Sequence, residues 1–385
     1  EWETVVAEDD EGGVLEDFAL AGDALVTAQS RHALSEIAVR DRDTGDVRHL
    51  VALPGPGSAE VTGRRDEQGP VWVGYTDYVT PYHVLTLDPL TASLAPDDSR
   101  SQDGQVPGRD RTAPPRSFSH RDTYRSADGT EVAITVVGPS GEPDRPRPTV
   151  LYGYGGFNIP MTPSYSSSVL AWVAAGGAWA VANLRGGSEE GEAWHRDGMR
   201  QHKQHTFEDL EAAAAWLVAS GWTTPEELAI MGGSNGGLLV GAALTRQPAT
   251  YAAVVCSAPL LDMVRYEQFG LGATWNDEYG TAADATELGW LLGYSPYHHV
   301  VAGVAYPAVL FTIFDGDTRV DPLHARKMAA ALQWATSSAP ARRPVLVRRE
   351  ADVGHGARAV RRQVNLAADE LAFLADQLGL DITTA

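Results

Sequence analysis

A single cysteine, Cys256, occurs in 385 residues, and one thiol cannot build an internal disulfide framework. Its apolar neighbours mark an inert buried thiol in a reducing compartment, so a cytoplasmic location is expected. No apolar run is long enough to cross a bilayer. Positive charge is scarce: 30 Lys and Arg stand against 51 Asp and Glu, a formal net charge of −21. Nucleic acid and anionic membranes would be repelled over most of such a surface, and neither is expected as a partner. Lysine occurs only at Lys203 and Lys327, which reads as coding bias. An initiator methionine is missing too, since the chain opens at Glu1 with no signal-like segment, as a fragment or processed product would. With 43% hydrophobic residues, the chain has ample material for a large core, and its length implies two domains.

The most informative stretch is Ile230 to Leu239, which places Ser234 between glycines where an apolar strand, Leu228 to Met231, meets a buried helix beginning near Leu238. That is the G-x-S-x-G pattern in its strand–turn–helix context. Crowding at such a turn excludes side chains beside the serine. Ser234 is therefore the expected nucleophile, with the backbone N–H of Asn235 aimed at a developing oxyanion. A phosphate-cradling loop would need a lysine after the glycines, and none follows.

Residues 1 to about 95 read as short β runs separated by turns. Ala24–Ala28, Ser35–Val39 and Asp43-Thr44-Gly45 form one strand, strand and turn set. Val71–Tyr75, Tyr82–Leu87 and Asp88-Pro89 repeat it about 46 residues later, near the length of one propeller blade. An incomplete all-β propeller of about two blades is expected, with a small antiparallel sandwich as the alternative. Asp97 to Arg116 is polar, rich in Pro, Gly, Asp and Arg, and without periodicity, so a linker is expected there. The resulting division is 1–116 for blades and linker and 117–385 for the second domain.

That domain opens on a hairpin signal at Asp128-Gly129. Apolar runs at Thr149–Tyr154, Ala178–Leu184, Leu228–Met231, Ala252–Ser257 and Ala308–Phe314 then alternate with helical segments, which implies a mostly parallel sheet covered on both faces. Thr206 and Asp209 read as a capping box ahead of Leu210–Ala219, and Thr224-Pro225-Glu226-Glu227 as the cap of a short helix. Asp321-Pro322 opens a helix to about Trp334, and Val360–Leu378 forms the last one.

A serine hydrolase on such a sheet needs an acid after a late strand and then a histidine. The run Ala308–Phe314 leads into Asp315-Gly316-Asp317, and His355 lies between glycines in a later loop, where packing does not explain it. His355 is thus the expected general base, with a buried carboxylate holding its tautomer. His298 and His299 read as structural, and His324 as lying on a helix face. His202 and His205 with Glu208 have ligand-type side chains, but at a spacing common by chance, so no metal is expected, and no cofactor.

Several motifs together resemble the prolyl oligopeptidase family. They are Tyr152-Gly-Tyr-Gly-Gly-Phe157, Asn183-Leu-Arg-Gly-Gly187, Gly232-Gly-Ser-Asn-Gly-Gly237, Trp275-Asn-Asp-Glu-Tyr279-Gly280, Tyr294-Ser-Pro296, Asp317-Thr-Arg-Val320 and Gly354-His-Gly356. The resemblance implies an α/β-hydrolase peptidase domain with a Ser234–Asp317–His355 triad, Asp315 being the lesser acid. It places the Tyr154 hydroxyl with the Asn235 N–H in the oxyanion hole. Trp275 would stack on a substrate proline, Phe157, Tyr279, Val320 and Leu260 would line the same pocket, and Arg319 would bind the preceding carbonyl. Physical chemistry agrees, since proline is a compact apolar ring best received by a flat aromatic face. The implied partners are short proline-containing peptides and a missing N-terminal segment of the same protein, because the family carries a seven-bladed propeller. Other specificities (cleavage after basic residues, acylaminoacyl peptidase, esterase) and an inactive fragment needing a partner chain stay open.

Overall fold

The structure is a computed structural model that describes residues 3–9, 12–64, 69–97, 117–356 and 358–382; most of the expected linker, 98–116, lies outside them. Two compact units divide the chain: residues 1–115 with 162–167 and 189–191, and the remainder from Arg116 onward.

The first unit holds two four-stranded antiparallel meanders: β1 Val14–Ala21, β2 Ala24–Arg31, β3 Leu34–Asp41 and β4 Val47–Val51, then β5 Ser58–Thr62, β6 Val71–Thr76, β7 His83–Asp88 and β8 Ser93–Pro96. Central strands pair in register, Val26 opposite Val39 and Val73 opposite Leu85. Their alternate side chains join one shared core that includes Val26, Ile37, Val39, Val71, Val73 and Leu87. These sheets are propeller blades, and the repeat visible in the sequence is their β2–β3 and β6–β7 hairpins. The outer strands β1, β4 and β8 escape a pattern reading because they bury little: four of the five residues of β4 are exposed, so apolar alternation is lost.

In the second unit, β9 Phe118–Arg125 and β10 Glu131–Gly138 form the expected hairpin. There follow β11 Thr149–Tyr152, α1 Ser167–Ala174, β12 Ala178–Ala182, α2 Glu192–Arg196, α3 Lys203–Ala219, β13 Leu228–Gly233, α4 Asn235–Arg246 and β14 Ala253–Ser257. Then come α5 Asn276–Tyr279, α6 Ala285–Tyr294, β15 Ala308–Phe314, α7 Leu323–Ala335, β16 Val345–Glu350 and α8 Val360–Leu378. The eight-stranded sheet runs β16-β15-β14-β13-β11-β12-β10-β9, parallel from β16 to β12 and antiparallel at β10 and β9. All seven residues of β15 and all five of β12 are buried, as strands covered on both faces must be. This is a mostly parallel α/β-hydrolase sheet, and its parallel strands end near the loops that carry the candidate residues.

Two helix readings are corrected. α3 starts at Lys203, so Thr206 and Asp209 lie inside it, both buried. They serve a tertiary purpose: Thr206 Oγ1 donates to the Arg185 carbonyl at 2.8 Å, and Asp209 accepts from the Arg185 side chain. Thr224–Glu227 is a turn closed by the Glu227 N–H on the Thr224 carbonyl at 3.0 Å, leading straight into β13. Asp321 does cap α7, accepting the Leu323 N–H at 2.8 Å.

Candidate active site

Ser234 sits between β13 and α4 at φ 57°, ψ −119°, a region costly for a residue with a Cβ. Surrounding backbone enforces it: a Cβ on Gly232 would lie 2.2 Å from the Gly236 carbonyl oxygen, and one on Gly237 2.6 Å from Pro259. Gly233 differs from expectation, since a Cβ there meets nothing closer than 3.6 Å. The Ser234 N–H is tied to the Ser257 carbonyl at 2.9 Å, fixing the turn to β14.

Asn235 opens α4, where helix geometry leaves the first N–H groups without intrahelical acceptors. Its buried side chain ties the loop after β11 to α5, Nδ2 donating to the Tyr154 carbonyl at 2.6 Å and Oδ1 accepting from the Tyr279 hydroxyl at 2.8 Å. Tyr154, on the loop after β11, is half-buried and hydrogen-bonded to Ser234; burial raises its phenol above the ordinary value, against the lowering by that bond. The phenol therefore stays protonated, a donor beside the serine.

The acid and the histidine come from loops after β15 and β16. Asp317 Oδ2 lies 2.6 Å from His355 Nδ1, while Asp317 Oδ1 accepts the Arg319 and Val320 N–H groups, each at 3.0 Å. The Asp317 side chain is 1% exposed and that of His355 14%. Asp315 is instead exposed and paired with Arg349 and Arg326.

Next to these loops is an aromatic cluster. Phe157 stands edge-on to Trp275 at 6.3 Å and to Tyr279 at 5.6 Å. Phe157 and Trp275 keep accessible surface, whereas Tyr279, Leu260 and Val320 retain 0%, 1% and 3%. These three belong to the buried apolar cluster against which Phe157 and Trp275 pack. Arg319 is exposed, and its carbonyl accepts the Leu271 N–H at 3.0 Å. The loop that holds Asp317 therefore also anchors the segment bearing Trp275.

Two buried ionic groups went unread in the sequence. Lys203 Nζ donates to the Gly155 carbonyl at 2.8 Å and to Glu278 Oε1 at 3.1 Å, and His195 Nε2 meets Glu278 Oε2 at 2.8 Å. Glu278 also accepts the Phe157 N–H; Lys203 and His195 hold its carboxyl below the usual range although burial opposes them. Burial pulls the Lys203 ammonium down. The group joins the Tyr154–Phe157 loop to α5, and its one outward signal was a lysine in a chain that has two. Arg185 is wholly buried among Asp209, Asp128 and Asp197, at 2.7, 2.6 and 2.9 Å. His324 lies on α7, on its buried face, with its Nδ1 accepting the Asp262 N–H at 3.1 Å. Asp197, not Glu208, comes together with His202 and His205.

The second unit is, by sheet order and by the elbow at Ser234, an α/β-hydrolase domain. Residues 163–381 match the prolyl oligopeptidase family, and residues 1–99 match the N-terminal β-propeller domain of prolyl oligopeptidase. The chain belongs to the prolyl oligopeptidase family. It is 36% identical over 382 residues to the prolyl endopeptidase of Elizabethkingia miricola, covering 98% of this chain and 52% of that protein. It superposes with a TM-score of 0.87, at 41% identity, on one of two prolyl endopeptidases analysed for inter-domain dynamics, covering 98% of this chain and 54% of that one. The TM-score is 0.85, at 29% identity, for prolyl oligopeptidase B from Galerina marginata bound to a 35mer hydrolysis and macrocyclization substrate, covering 97% and 52%. The chain thus spans about half the length of the curated relatives it matches.

Proposed function

We propose that the chain carries the peptidase machinery of an enzyme that cleaves short peptides on the carboxyl side of proline, with Ser234 as nucleophile, His355 as general base and Asp317 as the acid that orients it. The observation carrying this reading is the His355–Asp317 hydrogen bond of 2.6 Å, on a domain whose elbow holds Ser234 at positive φ. His355 Nδ1–H directed at Asp317 leaves Nε2 unprotonated to accept the Ser234 hydroxyl proton. The serine oxygen attacks the prolyl carbonyl, and the resulting oxyanion is received by the Asn235 N–H and the Tyr154 hydroxyl. Collapse breaks the C–N bond, the amine leaves with the proton held by His355, and water then hydrolyses the acyl-enzyme by the same route. Trp275 and Phe157 receive the proline ring, Tyr279, Leu260 and Val320 support them from behind, and the exposed Arg319 guanidinium binds the preceding carbonyl. No metal or cofactor enters this scheme.

The test is fluorophosphonate labelling of the chain, with hydrolysis of prolyl, arginyl and alanyl anilides measured in parallel. Labelling at Ser234 and preference for the prolyl substrate are expected, and Ser234→Ala should abolish turnover, a loss on the order of a millionfold. Residual turnover by Ser234→Ala well above background would overturn the nucleophile assignment, and a preference for the arginyl substrate the specificity.

A further inference from the structure

We propose that Asp197, His202 and His205 form a binding site for a borderline transition-metal dication, Zn2+ above all. Asp197 Oδ1 lies 3.1 Å from His205 Nδ1 and 3.9 Å from His202 Nδ1. One donor atom from each residue falls within 4.8 Å of the other two, and the imidazole rings stand 5.5 Å apart at 37°. In a tetrahedral zinc site, bonds of about 2.0–2.1 Å put donors roughly 3.4 Å apart. The three side chains therefore need shifts of an ångström or less, and 46%, 28% and 43% exposure of His202, His205 and Asp197 leaves them room to make these. His205 Nδ1 also contacts the Asp197 carbonyl oxygen at 3.0 Å, a hydrogen bond that metal ligation would replace.

Charge favours a dication independently. Asp197 Oδ2 is taken up by Arg185, which also faces Asp128 and Asp209. Three carboxylates around one guanidinium leave a surplus of negative charge, and Asp197 Oδ1 is the oxygen turned toward the two imidazoles. Access is available through a cavity of about 510 Å³ whose lining includes Asp197, His202, Arg196 and Arg200, the two guanidiniums being paired with Glu192 and Glu287, and the fourth position of a tetrahedral ion would be open to water. Two imidazoles and one carboxylate suit Zn2+, Ni2+ or Cu2+ and not the oxygen-seeking Mg2+ or Ca2+. The ion would tie the turn after α2 to the first turn of α3. The proposal does not depend on the peptidase reading.

The full chain, titrated with ZnCl2 by isothermal calorimetry at pH 7.5, should bind one equivalent through this site. Co2+ in place of Zn2+ should give the intense visible absorption of a tetrahedral complex. His202→Asn and His205→Asn should each weaken Zn2+ binding at least about tenfold, with unchanged far-UV circular dichroism, and the double variant should lose both the heat and the cobalt band. The absence of stoichiometric binding by the parent chain would overturn the proposal. So would an affinity that survives intact in the folded double variant, which would place the metal elsewhere.

Discussion

Two buried carboxylates in the hydrolase domain, Asp317 and Asp209, have nearly the same exposure and opposite surroundings. Asp317 is held by two backbone N–H groups and an imidazole, donors whose charge is not permanent. Asp209 is held by the side chain of Arg185 and by the Arg185 N–H. Its carboxylate partners keep Arg185 charged, although burial works against this. An imidazole beside a fixed acid can take and release a proton, whereas a guanidinium cannot. Burial therefore does not distinguish the two carboxylates, but their partners do.

The sharpest way to break that comparison is to neutralise each acid without changing its shape. Asp317→Asn should leave the fold intact and lower kcat roughly ten-thousandfold through the wrong imidazole tautomer. Asp315→Asn should change kcat little, because Asp315 serves Arg349 and Arg326. Steady-state kinetics on a prolyl anilide decides between them, and the reverse ranking would move the acid to Asp315.

Arg185→Ala should act on stability rather than chemistry. It strands Asp209 without a counter-ion, and breaking a buried pair typically costs about 3–5 kcal/mol. Urea unfolding should show a large fall in midpoint for Arg185→Ala and a small one for Asp317→Asn. Equal falls would erase the distinction between scaffold and site.

The comparison is sharpened further by two buried groups whose charge is suppressed. Burial pushes His324 down to about 4 and Glu370 up to about 7. Below its ordinary value of about 6.5 an unfolded His324 binds a proton that the folded one refuses, so its stabilisation, complete above pH 6.5, is lost as pH falls toward 4. Glu370 has the opposite slope: the folded state keeps a proton that the unfolded chain releases, so stability falls as pH rises from about 4.5 to 7. Over pH 4.5–6.5 the two nearly cancel. Glu370→Gln should therefore expose the histidine slope, with stability gaining about 2–3 kcal/mol over that range relative to the parent profile. Parallel unfolding profiles for parent and variant would refute it.

The smallest expected effect is at the aromatic wall. Trp275→Ala should reduce the preference for prolyl over alanyl substrate roughly 2- to 10-fold, since an aromatic contact contributes about 0.5–1.5 kcal/mol beyond its area. An unchanged ratio would show that the proline ring is received elsewhere.

Much of this domain was legible in the sequence because its information is local. Strands buried on both faces must be continuous apolar runs, so β11 to β15 were placed to within a few residues, and the amphipathic period of α8 marked both of its ends. The elbow at Ser234 is likewise encoded by neighbouring glycines. The blades showed where their central strands bury alternate residues; β1, β4 and β8, which bury less, were missed, and so was β5, although its Ala59 and Val61 alternate inward. Only the tertiary structure decided the rest. Asp317 and His355 are 38 residues apart, and Lys203 and Glu278 75. The residues by themselves left Asp315 and Asp317 both open until the family resemblance favoured one. Inside α3, Thr206 and Asp209 imitate a capping box because a cap and a buried polar pair can share the same spacing. A local pattern records which face of a segment is buried, but not which distant polar group meets it there, because burial depends on one chain segment and a hydrogen bond on two.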